Sequence, residues 1–173
     1  HTGPRRMRYV MNHHIVRGGH LSAQTMGALR DFVAIDPATD RWAVVNFPIL
    51  AENPYQIDLA RTAELITKYQ PELFIFGKSM TLHREPVQEV AGIIADIKPK
   101  PVIMYDAAHI LGLLGPHFQE PLKEGADIIT ASTHKTFFGT QRGIIASNMS
   151  EGSDDAELWE SIWRRAFPGS VSN

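Results

Sequence analysis

Along the chain, short apolar runs alternate with stretches whose apolar residues recur at helical spacing. "ELFIFG" (72–77), "PVIMYD" (101–106) and "DIITAS" (127–132) are near-continuous apolar runs bounded by Pro, Gly, Asp or Ser. That is the pattern of parallel strands covered on both faces. "RGIIAS" (142–147) predicts a fourth strand. Between the first two runs, Pro86 suits a first helical position, Val90, Ile94 and Ile97 follow at i, i+4 and i+7, and "KPKP" (98–101) stops the helix. Residues 58 to 69 predict another helix, with Leu59, Ala63 and Ile66 on one face, Asp58 as N-cap and Lys68 in the last turn. The order helix, strand, helix, strand, short helix, strand predicts an α/β domain with a mostly parallel sheet and helices on both faces. Ligands of such sheets bind at the carboxyl ends of the strands. Asp106, Lys135 and the turn Gly77-Lys78-Ser79 all fall there.

The first 57 residues carry a weaker pattern. "RYVMNHHIVRGGH" (8–20) predicts a strand running into a glycine turn, and "LSAQTMGALR" (21–30) a short helix. "DFVAID" (31–36) and "WAVVNF" (42–47) predict a pair of edge strands around the turn "PATD". At the other end, "DDAELWESIWRRAF" (154–167) predicts a helix with Leu158, Ile162 and Arg165 in register and acidic residues at its start.

Length and composition narrow the class. A chain of 173 residues suits one domain and hides about two-thirds of its unfolded surface. At 43% hydrophobic and 21% charged the composition is that of a globular protein, and no stretch approaches the roughly 20 apolar residues that cross a bilayer, so no membrane partner is expected. A net charge of -2 with the signs interspersed gives no basic stripe for nucleic acid. The lack of cysteine excludes disulfides, thiolate metal sites and a cysteine nucleophile; with no signal-peptide pattern at the N-terminus, a cytoplasmic setting is expected. The start at His1 without methionine and the ending "FPGSVSN" predict a piece of something longer.

Lys135 and Asp106 are the main candidates for chemistry. Lys135 lies among Ser132, Thr133, Thr136 and Gly139, beside Phe137 and Phe138; it is either an ordinary surface charge or a partly desolvated amine suited to Schiff-base chemistry. Asp106 ends an apolar strand and precedes Ala107, Ala108 and His109. It reads equally as the N-cap of "AAHILGLL" or as a carboxylate paired to the nitrogen of a flat ring. Eight histidines without cysteine invite a zinc reading, but "NHH" (12–14) is only an adjacent pair and no H-E-x-x-H spacing occurs, so no metal is expected. No G-x-G-x-x-G, P-loop or G-x-S-x-G motif is present.

Taken together, "YDAAH" (105–109) and "STHKTFFG" (132–139) resemble the serine hydroxymethyltransferase family of fold-type I pyridoxal-phosphate enzymes. That family carries Asp-x-Ala-His after one strand and Thr-His-Lys-Thr after a later one. The resemblance extends more weakly from "RGGHL" (17–21) to "GIIAS" (143–147). It implies that Lys135 holds pyridoxal 5'-phosphate in Schiff-base linkage, that Asp106 pairs with the pyridine nitrogen, and that His109 lies near the phenolic oxygen. The ring would sit between His20 and Ala108. Ser79, Ser132 and His134 match positions near the cofactor and its phosphate, and Lys135, Asp106 and His20 match the catalytic set.

The same resemblance implies a carbon-carbon bond reaction on serine, glycine or threonine, as in a hydroxymethyltransferase, a threonine aldolase or a transaldolase, in a homodimer or higher oligomer. A non-catalytic binding module on the same fold, or a plain α/β domain with a structural lysine, are the other classes. The chain is under half of a family subunit, so it would be the central part of the large domain, with the tail helix leading toward a C-terminal domain. Two departures stand out. The family commonly has Gly-Pro-Arg after the lysine motif, where this chain has Gly139-Thr140-Gln141-Arg142. Family members use tetrahydrofolate and usually show Thr-His-Gly after the Gly-Gly-His-Leu motif, where this chain has Ser22, Ala23 and Gln24.

Overall fold

The computed structural model describes residues 5 to 149, 152 to 153 and 155 to 169. Its strands are β1 (Val10–Asn12), β2 (Ile35–Asp36), β3 (Arg41–Trp42), β4 (Val44–Asn46), β5 (Leu73–Phe76), β6 (Val102–Asp106), β7 (Ile128–Ser132) and β8 (Gly143–Ser147). Six of them form one sheet in the order β4-β1-β5-β6-β7-β8. All neighbours in it are parallel except β7 and β8. The mostly parallel α/β sheet expected from the apolar runs is therefore the observed one, with the fourth run reversed at an edge.

Alternation along the strands sorts the core into two layers, because successive side chains point to opposite faces. Met11, Phe74, Phe76, Ile103, Tyr105 and Ile129 share one face with the helices α1 (Leu59–Tyr69) and α2 (Val87–Ile94). Val10 and Ile75, with partly buried Val44 and Met104, share the other with Ala23, Leu29 and Val33. Helix α2 is held by Val87, Val90 and Ile94, all fully buried; each such side chain contributes about 1.5–3 kcal/mol. Helix α1 starts where Asp58 accepts the Arg61 N–H at 3.0 Å and ends at Gln70 in the left-handed conformation.

Several expectations need correction. Pro86 stands as the N-cap of α2 rather than inside it, and the helix stops at Ile94, short of Ile97. Residues 21 to 30 form two 3-10 turns, Leu21–Ala23 and Ala28–Asp31, instead of one helix. The helical path breaks at Gln24, which is extended (φ -108°, ψ 161°), and at Gly27 (φ -114°, ψ -143°), where a Cβ would collide with the Leu21 carbonyl. The pair of edge strands is divided. Ile35–Asp36 does pair with Arg41–Trp42 around the predicted turn, but Ala43 gives its N–H to Ala34 and its carbonyl to Val10. The chain thereby crosses to the main sheet, where β4 runs parallel to β1. The short helix after Asp106 shrinks to a 3-10 turn at Leu111–Leu113. The C-terminal helix α3 covers Ala156–Ala166; Asp154, expected at its start, lies outside the described residues.

Candidate active site

Parallel strands end on a common edge, and the candidate residues gather there. Gly77 follows β5 with φ +94°, and a Cβ on it would run into the Asp106 carbonyl oxygen. Glycine is what lets the chain leaving β5 lie against the mouth of β6. Beside it, Gly19 forms an antiparallel bridge with Lys78, and the Ser79 N–H donates to the Gly18 carbonyl at 2.7 Å. The loop after β1, which carries His20, is thus pinned to the loop after β5.

Asp106 ends β6 and is buried. Its Oδ1 accepts the Ala108 N–H at 3.0 Å, and its Oδ2 lies 3.2 Å from His20 Nδ1. That nitrogen also contacts the Ser22 hydroxyl. The His20 ring meets His109 edge-on at 5.3 Å between centroids. Burial lowers the His109 pKa, the positive charges of Lys135 and His20 lower it further, and Asp106 opposes them. After β7, half-buried Lys135 brings Nζ within 3.5 Å of the Ser132 hydroxyl. Thr136 ties this loop down, donating to the His109 carbonyl at 3.0 Å and accepting the Gly112 N–H at 3.2 Å.

The segment that departs from the family pattern folds back on Thr133. Gly139 N–H donates to its carbonyl at 2.7 Å, Arg142 N–H donates to its hydroxyl at 3.0 Å, and the hydroxyl donates to the Thr140 carbonyl. Phe138 sits at φ +62° and is 93% exposed. The Arg142 guanidinium bonds the adjacent Gln141 carbonyl at 2.8 Å.

The structure therefore brings Lys135, Ser132, Asp106, Ala108, His109 and His20 to one edge. Ser79 shares it through its backbone, with an exposed side chain. His134 is exposed and makes no hydrogen bond or ion pair with the described residues. This donor set fits pyridoxal phosphate: an amine for the aldehyde, a carboxylate for a protonated ring nitrogen, the small Ala108 beside that carboxylate, and hydroxyls for a phosphate. Among the described residues, no three His, Asp or Glu side chains stand close enough to hold a metal, and no helix is long and apolar enough to cross a membrane.

Sequence reasoning missed a buried polar group behind this edge. Glu85 accepts from His13 Nε2 at 3.1 Å, in whichever tautomer places a proton there, and stands 3.1 Å from Lys78 Nζ. Lys78 Nζ donates to the Tyr55 carbonyl at 2.9 Å. Gln119 bridges the backbone of Glu85 and the Tyr105 hydroxyl, which donates to it at 2.8 Å. Burial opposes ionisation of Glu85, but the charges and hydrogen bonds of His13 and Lys78 outweigh it and hold the carboxyl below its ordinary range. Burial, and then Glu85, Glu124 and Asp106, push the Tyr105 hydroxyl pKa up. A cavity of about 420 Å³ lined by Arg84, Glu85, Glu89 and Glu124 opens beyond this group, away from Lys135. The available signals were "NHH", read as part of a strand and against metal spacing, and the turn Gly77-Lys78-Ser79, read for its place at the ligand-binding ends of the strands and not for a buried lysine.

Comparison with known proteins identifies the family. The serine hydroxymethyltransferase family model matches residues 5–171. A serine hydroxymethyltransferase of Archaeoglobus fulgidus is 41% identical over 167 residues, 95% of this chain and 34% of that protein. One of Thermoplasma volcanium is 37% identical over 157 residues, covering 90% of this chain and 33% of that protein. The crystal structure of an L-threonine transaldolase from Pseudomonas fluorescens, in its internal aldimine state, superposes with a TM-score of 0.66 at 27% identity, over 88% of this chain and 32% of its own. The chain spans about a third of the length of the curated relatives it matches. With the family model matched across nearly its whole length, this chain belongs to the serine hydroxymethyltransferase family.

Proposed function

We propose that this chain is the cofactor-holding central part of the large domain of a pyridoxal-phosphate enzyme that makes or breaks a carbon-carbon bond of a β-hydroxy amino acid, as a serine/glycine hydroxymethyltransferase does. The observation that supports this most is the placement of Asp106 and Lys135 at the mouths of adjacent parallel strands, with His20 brought to 3.2 Å from Asp106. Bound there, the cofactor supplies an electron sink for the pair released at the substrate's α-carbon. Lys135 would hold its aldehyde carbon, and Asp106 would keep the ring nitrogen protonated. His20 and Ala108 would flank the ring, His109 would serve the phenolic oxygen, and Ser79, Ser132 and His134 would serve the cofactor and its phosphate. The whole protein takes serine, glycine or threonine, works in the cytoplasm and assembles as a homodimer or higher oligomer.

The test is the absorbance spectrum of the full-length protein with pyridoxal phosphate, before and after Lys135→Ala. A visible band of lysine-linked cofactor in the wild type, absent from the variant, is expected. A band that survives the substitution, or that never forms in the wild type, overturns the assignment. A second reading, folate-independent transaldolase or aldolase chemistry, is favoured by the transaldolase likeness and by Ser22, Ala23 and Gln24 standing where the family usually has Thr-His-Gly. Threonine turnover without tetrahydrofolate, compared with serine turnover in its presence, separates the two.

A further inference from the structure

Glu85 is the meeting point of the two loops that frame His20. Its side chain is 2% exposed, those of Lys78 and His13 are 3% and 4% exposed, and one carboxylate oxygen faces each. Three ionisable groups at such depth are costly to bury unless they answer one another, and removal of one leaves the others uncompensated. The group is therefore arranged around the central carboxylate.

Its connections lead to the candidate site. His13 lies just before the 3-10 turn Ile15–Arg17 and the glycines that deliver His20. Gln24 Nε2, from beyond His20, donates back to the His13 carbonyl at 2.8 Å. Lys78 is the residue whose backbone bridges Gly19 and whose neighbours are Gly77, packed on Asp106, and Ser79, bonded to Gly18. One carboxylate thus anchors the stem of the His20 loop through His13 and its flank through Lys78. The neutral partners Tyr55 and Gln119 satisfy only part of the group. Glu85 Oε1 is buried and, although 3.1 Å from Lys78 Nζ, has no aligned hydrogen bond, so charge attraction holds that contact.

We propose that Glu85 is a positioning residue which, by gripping His13 and Lys78, fixes the loop that presents His20 to Asp106. The role matters for catalysis only if the pyridoxal-phosphate reading above holds, but the clamp is testable without cofactor. The experiment is amide hydrogen exchange on the full-length apo protein, comparing wild type, Glu85→Gln and the double variant Lys78→Met/Glu85→Gln. The double variant removes the charge in balance and keeps the fold accessible if the single one does not. The expected result is an about tenfold or larger loss of protection at the Gly19 and Ser79 amides, with β5 and β6 amides unchanged. Retained protection at Gly19 and Ser79 in the folded variants overturns the proposal, and so does a loss matched by β5 and β6. In the cofactor-loaded protein, kcat should fall with the loop protection even in a variant whose Tm is restored. Failure of the wild type to turn over would refute the functional reading alone, since the exchange result still decides the clamp.

Discussion

Oδ2 of Asp106 lies 3.2 Å from His20 Nδ1, joining the mouth of β6 to the loop after β1. The other oxygen holds the N–H of Ala108 at 3.0 Å. The carboxylate is therefore fixed from both sides, by its own backbone and by an imidazole. Of the two sequence readings, the helix N-cap is not what forms: Asp106 closes a local turn through Ala108, while Ile110 is the residue that precedes the 3-10 turn Leu111–Leu113.

Asp106→Asn keeps the shape and the turn but removes the charge. A charge-assisted hydrogen bond contributes about 1.5–3 kcal/mol, so turnover and cofactor affinity of the full-length enzyme should fall roughly 10- to 100-fold. Steady-state kinetics and cofactor titration measure it, with Tm followed in parallel. Kinetics within twofold of wild type would remove Asp106 from its proposed role.

The lowered pKa of His109 should make stability fall on acidification. Its pKa is lowered from the ordinary 6.5, first by burial and then by the positive charges of Lys135 and His20. The unfolded chain therefore binds this proton more readily than the folded one. The stability associated with neutral His109 is fully present above pH 6.5 and is lost as pH falls towards and through the lower folded value. His109→Gln should flatten the dependence of Tm on pH in that window, and an unchanged slope would show that His109 does not carry it.

Much of this arrangement was legible in the sequence, for physical reasons that also mark the limit. The runs that became β5, β6 and β7 are apolar at nearly every position because both faces are covered, and Asp106 and Lys135 stand where those runs stop. The stretch 42 to 47 gave no sign that Ala43 leaves the hairpin for the main sheet, because its apolar pattern satisfies either pairing. Residues 21 to 30 read as a short helix, yet Gln24 and Gly27 leave the helical region and let the segment turn back on Leu21, which the residue types alone do not announce. Glu85 was the least visible: a glutamate before a proline at a helix start reads as surface, and its burial depends on His13 and Lys78 arriving from distant loops.

Gly77→Ala tests the seam between β5 and β6. At φ +94° an alanine is strained, and its Cβ would meet the Asp106 carbonyl. Left-handed strain alone costs about 1–3 kcal/mol, and the collision adds to it. Chemical denaturation should show a destabilisation of at least about 2 kcal/mol together with weaker cofactor binding, since relief of the collision moves Asp106. A neutral effect on both would mean that the turn relaxes without disturbing the mouth of β6.

Glu85 should contribute to the acid limb of stability. Its carboxyl is held below the ordinary 4.5 because His13 and Lys78 outweigh the effect of burial. A depressed carboxylate stabilises the fold fully above its unfolded value and loses that contribution as pH falls through the folded one. Glu85→Ala leaves a lysine and a histidine buried opposite nothing, a change that costs about 3–5 kcal/mol near neutral pH. Lys78→Met with Glu85→Gln removes the opposed charges together, so it should be far milder than the single change. Denaturant unfolding across the range below and above pH 4.5 should show the gap between wild type and Glu85→Ala narrowing on the acid side. A gap that stays constant with pH would mean that packing, not charge, accounts for what Glu85 contributes.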